Sequence, residues 1–97
     1  MSLTVHLDLH FTPESVALAP AMLREILADT RVFEGCLGVD VLVDREDPEH
    51  VILAQTWASV EADAAYRDWR AGGGATQLGT LLAAAPVLTR FETATDI

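Results

Sequence analysis

The feature of this sequence that most constrains its fold is the strict alternation of apolar and polar residues from Leu3 to Phe11. Odd-numbered positions are apolar throughout, and the even-numbered positions are Thr4, His6, Asp8 and His10. A period of two places the two sets on opposite faces of a β-strand, whereas a helix would scatter them around its axis. The segment is therefore predicted to be a strand with one face on a core and one polar face.

Two later segments have the apolar spacing of amphipathic helices. The first is predicted to begin between Val16 and Pro20, because a proline is poorly tolerated in a helix interior, and to end near Arg31. The second follows Ser59, a residue type that caps helix N-termini, and ends at the glycines 72–74. Its predicted inward stripe consists of Ala62, Ala65, Tyr66 and Trp69.

Three further segments are rich in β-forming residues. Residues 36–44 and 51–58 flank the charged turn REDPEH, and residues 87–93 follow a short helix predicted around 76–84. One face of the second strand is expected to carry Leu37, Val39, Val41 and Val43. The resulting order, β-α-β-β-α-β, predicts the α+β class and the ferredoxin-like split βαβ arrangement, a four-stranded antiparallel sheet with the helices on one face. We expect a single domain over residues 1–97.

Charge and size limit the partners of the chain. Six basic residues against fifteen acidic ones give a net charge of −9, which repels phosphate backbones and anionic lipid surfaces. We therefore expect no nucleic acid and no membrane partner, and the N-terminal sequence, which lacks a signal-peptide pattern, favours a cytoplasmic location. A chain of 97 residues leaves apolar surface uncovered, so a homodimer is expected.

Three segments carry a recognisable pattern of motifs. They are TRVFEGCLG at residues 30–38, DREDPEH at residues 44–50 and QTWASVEADAAY at residues 55–66. Together they resemble the antibiotic biosynthesis monooxygenase (ABM) family, in which a helix ends in Thr-Arg, a Gly-Cys turn and an Asp-Pro hairpin follow, and a strand ends in Trp-x-Ser-x-Glu-Ala. The resemblance spans nearly the whole chain. It implies a dimeric α+β barrel in which two sheets pack face to face and each subunit keeps a pocket between its own sheet and helices.

Aromatic side chains are the first candidates for that pocket. Trp57 matches the Trp of the family pattern, and Tyr66 and Trp69 follow on the next helix. The resemblance implies that these residues hold a small aromatic ligand, phenolic or quinonoid. It also makes Tyr66 a candidate catalytic residue, with its hydroxyl donating a hydrogen bond to the ligand. Gln55 shares a strand face with Trp57, and Arg90 on the last strand is a candidate for steering an anionic group. Ordinary core packing of the aromatic residues is the alternative.

His6, Asp8 and His10 form the polar cluster of the first strand. A histidine beside a carboxylate can act as a general base near neutral pH, and we assign that candidate role to His6 or His10. Asp8 is a candidate substrate-binding residue. The His-x-Asp-x-His spacing offers three metal ligands, but three ligands from one straight strand are poorly placed around one ion, so no metal is expected. Two placements remain open: the histidines share the pocket of Trp57, or the leucines lie under the helices and the histidines at the dimer seam.

Two departures from the family pattern limit the reactions that the resemblance implies. Quinone-forming members carry an Asn four residues before the Trp, where this chain has Leu53, and no histidine follows His50 to ligate haem. The resemblance therefore implies a monooxygenase without cofactor, in which a deprotonated aromatic or polyketide-like phenol passes an electron directly to O2. Two alternatives stay open: a non-catalytic dimeric ligand-binding or accessory protein, and a non-redox isomerase or cyclase that uses the same pocket.

Overall fold

The computed structural model describes residues 2–97. Its regular elements follow the predicted order. They are the strands β1 (Leu3–His10), β2 (Cys36–Val43), β3 (His50–Trp57) and β4 (Val87–Glu92), the helices α1 (Ala19–Val32) and α2 (Val60–Ala71), and short 3-10 helices at Pro13–Ser15 and Leu78–Leu81. Within residues 2–97, no helix is both long and apolar enough to cross a membrane.

The sheet is antiparallel throughout, with the strand order β2-β3-β1-β4. Strand β1 therefore lies between β3 and β4, although neither of these strands is next to β1 in the sequence. The core residues of α1 and α2 pack against the same face of β1, so both helices cover one side of the sheet. This arrangement confirms the predicted ferredoxin-like α+β fold.

The alternation in β1 places its side chains on two faces, as the sequence predicts, and the structure decides between the two placements left open. Leu3, Val5 and Leu9 are buried under the helices, and the even-numbered residues lie on the other face, which we call the open face. Strand β3 has the same period, with Val51, Leu53, Gln55 and Trp57 buried. The open face of the sheet is therefore lined by the histidine-bearing side of β1 and by the side of β3 that carries His50 and Ile52.

The helix termini have identifiable causes in the sequence. Pro20 lies in the first turn of α1, where its missing N–H costs no helical hydrogen bond. The Ser59 side chain caps α2 by accepting a hydrogen bond from the Ala62 N–H at 3.1 Å. Gly72 ends α2, as predicted.

A β-bulge changes the predicted faces of β2. The register of β2 against β3 shifts between Cys36 and Gly38, which inserts one extra residue. Cys36 consequently packs into the core, while Leu37 is 63% exposed. The prediction that Leu37 shares a face with Val39 is wrong for this reason.

Candidate functional site

The predicted aromatic residues meet on the helix-covered side of the sheet. The Trp57 and Tyr66 rings lie 4.8 Å apart, and Tyr66 lies 6.0 Å from Trp69. Phe33 completes the cluster by stacking on Trp69 at 5.4 Å. Trp57 is fully buried and Tyr66 is 3% exposed. These rings therefore pack against one another as part of the core.

A buried polar network lies beside these rings. The Gln55 side-chain oxygen accepts hydrogen bonds from the Trp57 indole N–H at 3.1 Å and from the Arg67 guanidinium. Arg67 Nε also donates to Asp63 at 3.0 Å, and Arg90 Nε donates to the second oxygen of Asp63 at 2.7 Å. The structure thus brings the predicted residue Gln55 next to Trp57, whereas Arg90 is linked to them only through Asp63 and Arg67. Arg90 pairs with an internal carboxylate rather than pointing at free space.

Asp63 is a buried residue that the sequence pattern does not predict. Its side chain is 1% exposed, whereas Ala65, predicted to face inward, is exposed. The buried stripe of α2 runs through Asp63 and Tyr66 because two arginines reach the carboxylate from α2 and β4. Asp63 and Arg67 have the i,i+4 spacing of a helical ion pair, but this spacing usually indicates a pair on the exposed surface of a helix.

A second network joins the two helices through the Tyr66 hydroxyl. Arg70 Nε donates to this hydroxyl at 2.7 Å, and Arg70 Nη2 donates to Thr30 Oγ1 at 3.0 Å and to the Ile26 carbonyl at 2.9 Å. The Thr30 hydroxyl donates to the same carbonyl at 3.2 Å, so the Tyr66 hydroxyl donates its proton to Thr30, 2.7 Å away. The Tyr66 hydroxyl is therefore occupied by internal partners.

A cavity of about 390 Å³ lies between the C-terminal half of α2 and α1, and it reaches one predicted residue, Trp69. The Arg70 guanidinium lies over the Trp69 ring, 4.4 Å from its centroid. Gly74 packs against the same ring and leaves no room for a β-carbon. This cavity is open and has a mixed polar lining that includes Glu25 and Asp29.

A second cavity, about 420 Å³ in volume, lies between α1 and the β2 edge of the sheet. We call it the α1 cavity. Its walls are largely apolar, with Arg24 and Arg31 at the rim and Val41 and Val43 from β2. Val43 is 59% exposed although it faces the helix layer, because α1 does not reach over the end of β2. No local sequence pattern predicts this cavity, because it depends on how far the helix lies from the strand edge.

The predicted base residues lie elsewhere. His6, Asp8 and His10 project from the open face of the sheet, and Trp57 and Tyr66 lie on the helix-covered side. The placement that puts the imidazoles in the pocket of Trp57 is therefore wrong for this conformation. The physical reason is the amphipathicity of β1, whose apolar face is drawn under the helices. His6 instead contacts Phe91 of β4 at a ring distance of 5.0 Å.

Strand pairing adds His50 to the open-face cluster. His50 Nε2 lies 2.6 Å from Asp8 Oδ1, and His50 Nδ1 lies 2.8 Å from Asp44 Oδ2. The hydrogen bonds to Asp44 and Asp8 raise the pKa of His50, and the hydrogen bond from His50 lowers the pKa of Asp44. His10 stacks on His50 with ring centroids 4.5 Å apart. The compact group of possible metal ligands is therefore Asp8, His10 and His50, rather than the three residues of β1 considered from the sequence.

Comparisons with known proteins agree with the fold. The sequence profile of the antibiotic biosynthesis monooxygenase family matches residues 2–77. A conserved protein from Methanosarcina mazei has a similar structure, with a TM-score of 0.84 at 15% identity, covering 97% of this chain and 94% of the other. A protein from Deinococcus radiodurans, provisionally described as an antibiotic biosynthesis monooxygenase, has a TM-score of 0.81 at 25% identity, covering 98% and 95%. A search of curated proteins found no match.

Proposed function

Because the chain belongs to the antibiotic biosynthesis monooxygenase family, we propose that it is a monooxygenase that oxidises a small aromatic, polyketide-like phenol in the α1 cavity. The α1 cavity is the observation that carries this proposal. It lies between the sheet and α1, on the side of the sheet where the family resemblance implies the pocket, although Trp57, Tyr66 and Trp69 do not line it. Its volume of about 420 Å³ falls within the usual range for small-molecule sites, roughly 300 to 1,000 Å³.

The lining of the α1 cavity suits such a substrate. Leu23, Leu27 and Val51 supply apolar walls for a planar ring system. Arg24 and Arg31 bring positive charge to the rim, in a protein whose net charge is −9. A guanidinium pairs well with a phenolate or enolate oxygen, so these arginines would hold the ionised form of the substrate. The Arg31 side chain is already oriented by donating to the Val39 carbonyl at 3.0 Å.

The proposed reaction needs only the substrate and O2. The ionised phenol, which is the enolate form of a ring ketone, transfers one electron to O2, and the two radicals combine at the former methylene carbon, para to the ionised oxygen. A ring methylene becomes a carbonyl, one oxygen atom of O2 enters the product and the other leaves as water. The substrate supplies all four electrons. The proton lost on ionisation passes to water at the cavity mouth, because the imidazoles lie on the opposite face of the sheet, and the peroxide formed with O2 regains a proton from water before it releases water to give the carbonyl.

Oxygen uptake with a hydroxyanthrone tests the proposal. We expect one O2 consumed per methylene oxidised, above the rate without protein, and one labelled oxygen atom in the quinone formed under ¹⁸O2. Val43→Trp should block the cavity and abolish the added uptake. Arg24→Ala with Arg31→Ala should raise KM by roughly tenfold, the loss of one charge-assisted hydrogen bond. Arg45→Ala, in the charged turn, is the matched control; equal effects from that variant would contradict the assignment.

A non-catalytic ligand-binding protein is the second candidate. It is favoured by the position of all three histidines on the open face, which leaves the α1 cavity without an imidazole base. In that case the hydroxyanthrone would bind and Val43→Trp would prevent its binding, but oxygen uptake would equal that of the blank. A product of unchanged oxidation state would instead identify a non-redox isomerase or cyclase.

Homodimerisation through the open face is part of the same proposal. Leu42, Val87 and Phe91 lie on that face and are each about half exposed. Ile52 and Ala54 of β3 continue the apolar surface between them. A second copy packing its own open face against this surface would remove these side chains from water, as the implied α+β barrel requires.

A further inference from the structure

The Asp8, His10 and His50 side chains converge at one end of the open face. We propose that these residues form a binding site for a single divalent zinc ion. Their ligand atoms all lie within 4.8 Å of one another. This inference is independent of the proposed monooxygenase activity, since the sheet separates the cluster from the α1 cavity.

Strand register creates the cluster. His10 of β1 and His50 of β3 are direct partners in the antiparallel ladder, so their side chains leave neighbouring strands on the same face. Asp8 lies two residues before His10 and therefore also projects from that face. Its Oδ1 atom lies 2.6 Å from His50 Nε2 and 3.5 Å from His10 Nε2. Two imidazoles and one carboxylate are an established ligand set for zinc, with water completing the coordination.

A second carboxylate orients one of the ligands. Asp44 Oδ2 lies 2.8 Å from His50 Nδ1, which leaves His50 Nε2 directed toward Asp8. Histidines that bind metals commonly donate their other ring N–H to a carboxylate in this way, which selects the tautomer and increases the basicity of the ligating nitrogen. Asp44 is itself positioned by the turn, where its Oδ1 accepts a hydrogen bond from the Glu46 N–H at 2.9 Å.

Zinc binding requires a small rearrangement of side chains. The His10 and His50 rings are nearly parallel, with 2° between their planes, so their in-plane lone pairs do not meet at one point. The His10 side chain is 53% exposed and is free to rotate about its χ angles toward Asp8. The zinc ion would replace the hydrogen bond between Asp8 and His50. Zinc lies about 2.0 to 2.2 Å from nitrogen and oxygen ligands, which the bound side chains would satisfy by moving about 1 Å.

The donor types favour zinc over the common hard cations. Calcium and magnesium prefer oxygen ligands, whereas two of the three donors here are imidazole nitrogens. The two neighbouring carboxylates, Asp8 and Asp44, supply negative charge to balance a divalent ion. The site is on one strand pair, so no domain movement is needed to assemble it.

Calorimetric titration of the untagged, chelator-treated full chain with zinc chloride tests the proposal. We expect saturable binding of one zinc ion per chain, and cobalt(II) in its place should give visible absorption bands from a site of low coordination number. Absence of saturable zinc binding by the wild-type chain would overturn the proposal.

Variants identify the ligands. Asp8→Asn, His10→Ala and His50→Ala should each abolish binding at concentrations that saturate the wild-type chain. Asp44→Asn keeps the turn hydrogen bond to the Glu46 N–H and should weaken binding by roughly ten- to 100-fold. His6→Ala, on the same strand and face, is the matched control and should bind zinc like the wild type.

Thermal denaturation of each variant without zinc shows whether it is folded. If the other variants are unstable, zinc binding by His10→Ala decides whether the assignment is correct, because this exposed side chain has no buried contact to lose. A folded His10→Ala that binds zinc as tightly as the wild type would overturn the assignment, as would an equal loss of binding in His6→Ala.

Discussion

At the scale of single residues, Asp63 shows how a buried charge is accommodated in this small fold. Its carboxylate is almost fully buried and is paired with Arg67 and Arg90. Burial of an unpaired carboxylate would be strongly unfavourable, so these ion pairs are needed for the helix to bury this position. Arg67 also donates a hydrogen bond to the Gln55 side-chain oxygen, which in turn accepts a hydrogen bond from the Trp57 indole.

We predict that Asp63→Ala destabilises the protein by about 2 to 3 kcal/mol in urea denaturation. Breaking a buried ion pair costs about 3 to 5 kcal/mol, and the loss here is smaller because Arg67 and Arg90 both reach solvent. Asp68→Ala, an exposed position on the same helix, is the control and should change stability by no more than about 0.5 kcal/mol. Equal stability of the two variants would show that the network contributes nothing.

Tyr66→Phe separates a structural role of the hydroxyl from a catalytic one. Removing the hydroxyl leaves the Arg70 Nε without its acceptor at 2.7 Å, and we expect a loss of about 1 to 2 kcal/mol in urea denaturation. Oxygen uptake at a temperature where both proteins are folded should be unchanged, because the hydroxyl is turned toward Thr30. A large fall in kcat without loss of stability would instead support the catalytic role predicted for Tyr66.

At the scale of elements, the turn between α1 and β2 determines how closely α2 approaches the sheet. Gly35 has a φ of 88°, and a β-carbon there would overlap the Ala62 side chain of α2. The Gly35 carbonyl also accepts a hydrogen bond from the Ala58 N–H at 2.8 Å, just before α2 begins. A glycine is therefore required both by the backbone conformation and by the packing of the helix.

Gly35→Ala should destabilise the protein by about 2 to 4 kcal/mol, measured by urea denaturation. The left-handed conformation costs an alanine roughly 1 to 2 kcal/mol, and the overlap with Ala62 adds a similar amount. Gly73→Ala is the control, because a β-carbon at that position meets nothing within 4 Å. A loss at Gly73→Ala as large as at Gly35→Ala would mean that the helix-sheet approach is not the cause.

At the scale of the whole molecule, one face of the sheet is covered by helices and the other is not. The open face combines apolar side chains with the histidine cluster, so the surface proposed for the partner subunit and the proposed zinc site adjoin one another. We expect light scattering to give a mass near twice 10.5 kDa for the wild-type chain. A mass near 10.5 kDa at all concentrations would contradict the dimer.

Leu42→Asp combined with Phe91→Asp should convert the dimer into a monomer. Both side chains are about half exposed on the open face, and burying two unpaired carboxylates in the interface would be strongly unfavourable. Val32→Asp, on the exposed end of α1, adds the same kind of charge away from the sheet and should leave the dimer intact. Retention of the dimer in the double variant would place the interface elsewhere.

The strands, the helices and their order follow from the sequence by itself. Each depends on short-range periodicity: the alternation in β1 predicts a strand with one apolar and one polar face, and Pro20, Ser59 and Gly72 mark helix ends through local backbone preferences. The family resemblance rests on motifs of the same local kind. No contact between distant residues was needed for these conclusions.

Tertiary structure alone decided which side chains meet. The pairing of His50 with Asp8, the burial of Asp63 between two arginines and the bulge that exposes Leu37 all depend on strand register or on helix position. A shift of one residue in register would move His50 to the other face of the sheet, yet would leave the local sequence pattern unchanged. The candidate sites therefore arise from long-range packing, which local periodicity does not specify.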